Sequence, residues 1–341
     1  MSTGYRNHFC ENSNCTHTKK IPLSCSGRYC PTCGKKLTDI WIEKQKKILP
    51  QCDWQHITFT MPSVLWPYFK DRPDLLAKAI RLASETLLKT AKEKGIKIGI
   101  FAALHTFGRD LKWNVHVHAS VTMGGITENE QWKAIRFAQK VIMPMWRYRI
   151  INLLRKEAKA GKLEIHNQTL NYEYNKPWKV HFSNPTENAN QTTAYVGRYV
   201  KRPPLSMSRL EHYDGKTVTF NFLNHKNKAH EKITFDADDF MERFTQHIPE
   251  KGFRLIRYYG FLANRVRSNL LPIIYELLGQ EIKSIKQISW DILLKKSFGS
   301  DPLECILCGS RMLPGNLTPG KSKREMMSFH KALATRQRIP D

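Results

Sequence analysis

A His-x-His pair is the first group of residues that could do chemistry. His116 and His118 lie in the run 114–122, where polar and apolar residues alternate. In a β-strand, alternate side chains share one face, so both imidazoles would lie together while the valines between them pack into the core. Two imidazoles at this spacing can bind one metal ion, and pure histidine coordination suits Mn, Zn, Co or Ni.

A third histidine joins this pair if two strands form a hairpin. His105 lies in the strand-like run 98–106, and the loop that follows has hairpin composition. If the turn is centred near Asp110 and Leu111, His105 lies opposite His116, and directly opposed residues share a face. We expect a trio of metal ligands with coordination positions left for a substrate. A one-residue slip would remove His105 from this face, and the alternative is three ordinary surface or hydrogen-bonded histidines.

Two tyrosines form the second candidate group. Tyr195 and Tyr199 are four residues apart, so on a helix they lie on one face, one turn apart. Packing is the commoner reason for this spacing, but Arg198, Lys201 and Arg202 surround the pair. Positive charge favours the phenolate form of tyrosine. A phenolate can attack a phosphodiester and form a covalent phosphotyrosine, so we predict that these are the catalytic nucleophiles.

A metal ion at the histidines would act as a Lewis acid on the scissile phosphate and orient it for in-line attack. Phosphate oxygens and waters would complete its coordination shell. We therefore expect activity with Mg²⁺ or Mn²⁺, although three imidazoles alone favour softer ions.

Cysteines are concentrated at the start of the chain, where five of the eight lie between residues 10 and 33. The Cys-x-x-Cys-Gly sequence at residues 30–34 is typical of a knuckle that binds structural Zn²⁺. A closed thiolate site leaves no open coordination position, so we do not expect it to be catalytic. The favoured ligands are Cys10, Cys15, Cys30 and Cys33, and Cys25 or His17 could replace one of them.

A second knuckle lies near the end of the chain. Cys305 and Cys308 have the same Cys-x-x-Cys-Gly sequence but only two cysteines. A nearby histidine such as His330, or another chain, would have to complete a metal site there. The sequence leaves a second metal site and two free thiols as equal alternatives.

The charge of the chain favours a polyanionic partner. Lys and Arg number 55 against 30 Asp and Glu, which gives a net charge of +25 and a pI near 9.8. Nucleic acid is the better interpretation, because no basic amphipathic helix with a bulky apolar face suggests a membrane surface. The residues predicted to contact DNA are Arg198, Lys201, Arg202, Arg109 and Lys112.

The first residues contain no apolar segment of a secretory signal, and no run of about 18 apolar residues occurs. We expect a cytoplasmic, nucleoid-associated protein with no membrane partner. In a reducing compartment the cysteines are better interpreted as metal ligands or buried thiols than as disulfides.

Hydrophobic periodicity predicts a mixed organisation of strands and helices. We divide the chain into a zinc-binding module at 1–45, a nuclease domain at 50–250 and a basic, mainly helical C-terminal region at 251–341. Further elements predicted by periodicity and by turn residues are a strand at 56–61, helices at 74–94, 131–159, 192–201 and 236–247, and a second hairpin at 216–222 and 232–235.

Together, these motifs resemble the HUH transposases of the insertion-sequence-91 type. The segments that carry the resemblance are 24–33, 59–62, 105–108, 116–118, 195–202, 240–261 and 301–309. The resemblance implies an α+β protein with the HUH endonuclease fold, an antiparallel sheet flanked by helices, together with a zinc-ribbon-like N-terminal module and a basic C-terminal region.

The resemblance also implies rolling-circle transposition through a 5′-phosphotyrosine intermediate. Its partners would be single-stranded and hairpin DNA at the transposon ends, target DNA, and host replication proteins. A host helicase is expected as well, since the sequence has no P-loop for unwinding DNA.

Three alternatives remain open at this point. A plasmid replication initiator or relaxase would share the histidines but not the zinc segment or the C-terminal cysteine pair. A catalytically dead zinc-ribbon DNA-binding protein would bind DNA without forming a covalent adduct. A zinc hydrolase using the three histidines would leave the basic charge and the paired tyrosines unexplained.

Overall fold

The computed structural model describes residues 3–27, 29–200, 203–224, 227–281, 290–322, 324–325 and 328. The chain forms two compact units, one made of Met1–Ile40 with Lys286–Asp341 and the other of Trp41–Ile285. This division differs from the three consecutive domains that we predicted. The two ends of the chain belong to one unit, and residues 251–285 belong to the unit that carries the histidines.

Strands and helices alternate along the described residues. The strands are β1 (Gly4–Cys10), β2 (Thr18–Pro22), β3 (Trp54–Thr60), β4 (Lys97–Phe107), β5 (Trp113–Ile126), β6 (Trp132–Ala134), β7 (Val180–Phe182), β8 (Leu210–Tyr213), β9 (Thr217–Leu223), β10 (His230–Asp236), β11 (Ile256–Gly260) and β12 (Met312–Pro319). The helices are α1 (Pro31–Ile48), α2 (Pro73–Lys92), α3 (Gln139–Lys159), α4 (Asn167–Asn175), α5 (Ala189–Val200), α6 (Ala237–Thr245), α7 (Arg267–Leu277) and α8 (Trp290–Phe298). The α+β class is as predicted.

The main sheet lies in the larger unit and has the strand order β11-β4-β5-β3-β7, with β6 paired to β5. All these pairs are antiparallel. The hairpin of β4 and β5 has His105 opposite His116, which is the predicted register. β3 pairs with the other side of β5 and has Thr58 opposite His118.

One face of this sheet forms the main core. Val115, Val117, Ala119 and Val121 alternate along β5 and are fully buried there against helices α2 and α3. Burying a side chain of this size contributes on the order of 1.5–3 kcal/mol, so the alternation fixes which face of β5 looks outward. The histidines of the strand are thereby held on the opposite face.

The opposite face is covered at one end only by a smaller core. Phe101 and Ala103 of β4, Trp54 of β3 and Ala189 of α5 pack there with Trp41. Helix α7 adds three buried residues, Leu271, Ile274 and Tyr275.

The tip of the β4–β5 hairpin is held by a small hydrophobic cluster and a hydrogen bond. Leu111 has a left-handed φ of +62° yet is fully buried, where it packs with Leu205 and Phe220. A leucine in this conformation costs about 1–2 kcal/mol, so its apolar contacts must hold it there. His247 Nε2 donates a hydrogen bond to the Leu111 carbonyl (3.0 Å), which fixes the turn further.

The second predicted hairpin is also present. β9 and β10 pair over seven positions, and β8 adds a third strand to this small sheet. Helix α6 starts after Asp236, as predicted, and two of its phenylalanines belong to the cluster beneath the hairpin tip.

Two predictions about secondary structure were wrong. Residues 132–134 form β6 at the edge of β5, so the helix predicted for 131–159 begins only at Gln139; Pro144 lies inside it. The described residues after 250 contain two strands that were not predicted, β11 and β12, in addition to helices α7 and α8. β11 completes the main sheet through main-chain pairing with β4, with Tyr258 opposite Phe101.

The smaller unit contains a three-stranded sheet of order β12-β1-β2. β1 and β12 are antiparallel, and Cys10 lies opposite Met312. Main-chain hydrogen bonds therefore join Gly4–Cys10 to Met312–Pro319.

Candidate functional site

Three histidines converge on the face of the main sheet that lies opposite the main core. The ring centroids of His105 and His118 are 4.6 Å apart, those of His116 and His118 are 4.9 Å apart, and those of His105 and His116 are 5.3 Å apart. One ring nitrogen from each lies within 4.8 Å of the others, close enough for one metal ion. The structure thus brings the predicted trio together.

Burial keeps two of the imidazoles, those of His116 and His118, in the form that binds metals. It lowers the pKa of His116 to about 4, and a hydrogen bond to the Asn114 carbonyl opposes this only in part. The pKa of His118 is well below its usual value, through burial and then through the neighbouring charges of His105, His116 and His56. A neutral imidazole offers a lone pair to a metal, whereas an imidazolium does not.

Hydrogen bonds orient two of the rings. The Asn114 carbonyl can only accept, so His116 Nδ1 donates to it (2.9 Å) and Nε2 keeps the lone pair. His118 Nδ1 lies 2.8 Å from His56 Nε2 and 3.3 Å from the Thr58 hydroxyl. Both rings therefore use Nδ1 for protein contacts, which leaves Nε2 as the metal-binding atom.

His56 is a site residue that the sequence analysis did not identify. It is 7% exposed, its Nδ1 lies 3.1 Å from the Ser120 hydroxyl, and its ring stacks on His118 at 5.0 Å. Its pKa is lowered to about 4, first by burial and then by the charges of His181 and His116. The sequence contained a signal for His56. The alternation in the predicted strand 56–61 puts His56 on the same face as Thr58, which lies opposite His118 in the structure.

Aromatic rings support the trio from the side of the hairpin tip. Phe107 stacks on His105 with ring centroids 4.9 Å apart. It is paired across the hairpin with Trp113, on which His247 stacks in turn. This packing restricts the orientation of the His105 ring.

Helix α5 carries the two tyrosines and packs against β3, β4 and β5, the strands that bear the histidines and His56. The Asn188 side chain caps its first turn by accepting from the Gln191 amide (3.0 Å). A Cβ at Gly197 would lie only 2.4 Å from Ile42 Cγ1, so the helix approaches α1 closely because this residue is a glycine.

The predicted helix is present, with Tyr195 and Tyr199 one turn apart in its backbone. The side chains of Tyr195, Arg198 and Tyr199 lie outside the described part of the chain, and so do residues Lys201 and Arg202 entirely. Their catalytic and DNA-binding roles remain predictions.

Two of the predicted DNA contacts lie at the hairpin tip. Arg109 and Lys112 are both exposed, and the Lys112 ammonium is 3.1 Å from the Asp110 carboxylate. The tip connects strands β4 and β5, which carry His105 and His116.

The predicted zinc ligands divide into two clusters. Cys10 and Cys15 do not meet Cys30 and Cys33, because β1 pairs with β12 and so brings the first pair to the C-terminal knuckle. The two clusters are Cys10, Cys15, Cys305 and Cys308, and Cys25, Cys30 and Cys33. Cys25, considered above as a substitute ligand, thus belongs with the second pair.

Cys52 belongs to neither cluster. Burial and the nearby Asp53 raise the pKa of its thiol to about 12. It remains a neutral thiol at physiological pH, which is the inert form.

Two family models match the chain. One, described as "Putative transposase", matches residues 99–269, which include the histidine trio and helix α5. The other, described as "Transposase zinc-binding domain", matches residues 1–61 and covers the first six cysteines.

Known proteins resemble the chain over most of its length. The transposase for insertion sequence element IS801 from Pseudomonas savastanoi pv. phaseolicola is 40% identical over 324 residues, which are 91% of this chain and 79% of that protein. The chain belongs to the IS91 family of transposases. "Putative transposase y4qJ" from Sinorhizobium fredii (strain NBRC 101917 / NGR234) is 30% identical to this IS91-family chain over 290 residues, 79% of the chain and 73% of that protein.

No solved structure matches this IS91-family transposase. Among the helices of its described residues, none combines the length and the apolar character that crossing a bilayer requires. Membership in the family identifies a DNA-processing enzyme with a zinc-binding module, in agreement with the function predicted from the sequence.

Proposed function

We propose that this transposase nicks and rejoins single-stranded DNA at the ends of its element through a covalent 5′-phosphotyrosine. The observation that carries the proposal is the register of the β4–β5 hairpin, which places His105 opposite His116 and beside His118. Burial holds His116 and His118 neutral, and a site with three protein ligands leaves coordination positions for a phosphate.

The donor set of this face fits a divalent ion. Burial holds His116 and His118 neutral and their hydrogen bonds leave Nε2 available, and we propose His105, His116 and His118 as the ligands of Mg²⁺ or Mn²⁺. When bound, the ion supplies Lewis acidity to the scissile phosphate. His56 acts as a positioning residue, since its contact with His118 Nδ1 fixes that ring.

The nucleophiles in this proposal are Tyr195 and Tyr199. The phenolate oxygen forms a bond to phosphorus as the P–O3′ bond breaks, and the leaving oxygen takes up a proton to become a free 3′ hydroxyl. In the rejoining step a 3′ hydroxyl attacks the phosphotyrosine, which releases the tyrosine. Two tyrosines on one helix can hold two DNA ends in turn.

Charge supports the choice of substrate. The net charge of +25 and the exposed cations Arg109 and Lys112 at the tip of the β4–β5 hairpin favour a nucleic acid backbone. We propose single-stranded and hairpin DNA at the element ends as substrate and target DNA as acceptor. Host replication proteins and a helicase would supply the displaced strand in the bacterial cytoplasm, which completes rolling-circle transposition.

The test uses labelled single-stranded DNA from an element end, incubated with the full chain and Mg²⁺ or Mn²⁺. Labelled DNA that migrates with the protein on a denaturing gel is the expected result. We expect the adduct to be lost in His116→Ala and in Tyr195→Phe, Tyr199→Phe or their combination.

The matched control is Tyr213→Phe, which changes an exposed tyrosine on β8 and should leave the adduct intact. DNA binding without any adduct from a confirmed element end would overturn the enzymatic proposal. It would favour a zinc-ribbon DNA-binding protein instead.

A further inference from the structure

We propose that Cys10, Cys15, Cys305 and Cys308 bind one structural Zn²⁺, which clasps the beginning of the chain to its end. We call these four residues the cysteine clasp. The family model for the zinc-binding domain ends at residue 61 and therefore contains only two of the four ligands. The zinc-binding module is, in this proposal, built from both ends of the chain.

The spacing of the sulfurs fits one tetrahedral ion. All four Sγ atoms lie within 4.8 Å of one another; Cys10 and Cys308 are 3.4 Å apart, and Cys15 and Cys305 are 3.8 Å apart. Four thiolates at about 2.3 Å from a tetrahedral zinc have sulfurs about 3.8 Å apart. Disulfide sulfurs would be about 2.05 Å apart, so these thiols are arranged as ligands and not as bonded pairs.

Each half of the clasp is shaped by its own backbone. In the C-terminal knuckle, the Gly309 amide donates to the Cys305 carbonyl (2.9 Å) and the Cys305 amide donates to the Ser310 carbonyl (2.8 Å). Gly309 has a left-handed φ of +75°, which this tight turn requires. Both cysteines of the knuckle are thereby presented on the same side.

The N-terminal half is held in a similar way. The Cys10 amide donates to the His17 carbonyl (3.1 Å), and the Cys15 amide donates to the Asn12 carbonyl (2.9 Å). The residues between the two cysteines thus form a closed loop, which explains why their spacing exceeds the usual two residues.

Strand pairing brings the halves together. β1 ends at Cys10 and pairs with the start of β12, and the Glu11 amide donates to the Arg311 carbonyl (2.9 Å). The knuckle immediately precedes β12, so the pairing sets Cys305 and Cys308 beside the end of β1. A salt bridge from Arg311 to Asp301 (3.3 Å) adds to this arrangement.

His17 completes the surroundings of the clasp. Its Nδ1 lies 3.1 Å from Cys305 Sγ, the distance of an N–H donor to a thiolate. The sequence had left His17 open as a ligand; it lies outside the cluster of four cysteines, and with its proton on Nδ1 it would donate a hydrogen bond to the Cys305 sulfur. Such donors stabilise the charge of metal-bound sulfur.

The clasp is distinct from the cluster of Cys25, Cys30 and Cys33 in the same unit. Each cluster can therefore be monitored separately in the full-length protein. Differential alkylation does this, since a zinc-bound thiolate is protected until a chelator removes the ion. Mass spectrometry then assigns each cysteine, and elemental analysis counts zinc per chain.

In wild type we expect Cys10, Cys15, Cys305 and Cys308 to be protected with zinc and reactive after chelation. Cys10→Ser should lose about one zinc per chain and expose Cys305 and Cys308. The alkylation of Cys25, Cys30 and Cys33 should remain as it is in wild type. Cys52→Ser, in the other unit, is the control and should change neither zinc content nor protection.

A variant with a substitute ligand tests the clasp even if Cys10→Ser unfolds the whole module. Cys308→His keeps a side chain that binds zinc. It should therefore restore the zinc content and the protection of Cys10 and Cys305 that Cys308→Ser loses. The proposal is overturned if Cys305 and Cys308 react equally with and without zinc, if they stay protected in Cys10→Ser, or if Cys308→His fails to restore protection. None of these outcomes depends on DNA cleavage.

Discussion

The histidine trio and the cysteine clasp are two candidate metal sites that the chain assembles in different ways. The histidines come from one hairpin, whereas the clasp cysteines come from the two ends of the chain. Three imidazoles leave coordination positions open for a substrate, while four thiolates close the shell. If both proposals hold, the larger unit would use a metal for chemistry and the smaller unit would use one to hold a short module together.

The largest effect should come from removing one ligand of the trio. His118→Ala should slow nicking by about 1,000-fold or more, because Lewis-acid stabilisation of a transition state is worth several kcal/mol. Single-turnover cleavage of an element end measures this rate. Zinc content and the thermal unfolding midpoint should match those of wild type.

The reciprocal variant sharpens the contrast. Cys308→Ser should lose zinc and lower the stability of the smaller unit, because zinc binding supplies folding free energy to such modules. Equal losses of zinc in His118→Ala and Cys308→Ser would contradict the division of roles.

The anchor of the hairpin predicts a pH-dependent stability. His247 is 3% exposed and its pKa is lowered to about 4, mainly by burial and also by the charge of Lys70. In the unfolded chain His247 binds a proton near pH 6.5, whereas in the folded protein it stays neutral down to about pH 4. The stability that neutral His247 contributes is therefore complete above pH 6.5 and is lost as the pH falls toward 4.

The expected loss between pH 6.5 and pH 4 is up to about 3 kcal/mol. Denaturant unfolding of wild type and His247→Gln at each pH measures it, and the variant should lack this component because glutamine does not titrate. If the free energy of unfolding changed with pH in the same way in both proteins, His247 would not be the cause of the pH-dependent stability.

A smaller effect is expected at His56. His56→Ala should raise the Mn²⁺ concentration needed for half-maximal nicking by about 10- to 100-fold, since it removes the partner of His118 Nδ1. His56→Gln should recover part of this loss, because its amide oxygen can accept the same hydrogen bond. A purely structural role would change the unfolding midpoint and leave the metal dependence of both variants as in wild type.

The parts of the site that could be predicted depend on residues that are close together in the sequence. The alternation around His116 and the loop before it predict the hairpin, and a turn centred near Asp110 and Leu111 predicts the register that the structure has. Helix α2 has a clear apolar face and was predicted to within two residues at its end.

The missed features depend on partners that are distant in the chain. β11 and β12 form because they pair with β4 and β1, and the run from Ile256 to Tyr259 shows no clear alternation of its own. The clasp joins residues 298 positions apart, so no local pattern distinguishes Cys30 from Cys308 as a partner of Cys10. Only the fold decides between them.

The most direct test of the account is to locate the nucleotide on the protein after cleavage. Trypsin separates the two candidates, since Tyr195 lies in the peptide 180–198 and Tyr199 lies in 199–201. We predict that mass spectrometry finds a nucleotide on one or both of these peptides, and on neither in His116→Ala. Cleaved DNA with no modified tyrosine, or with the nucleotide on a residue outside helix α5, would contradict the proposed covalent mechanism.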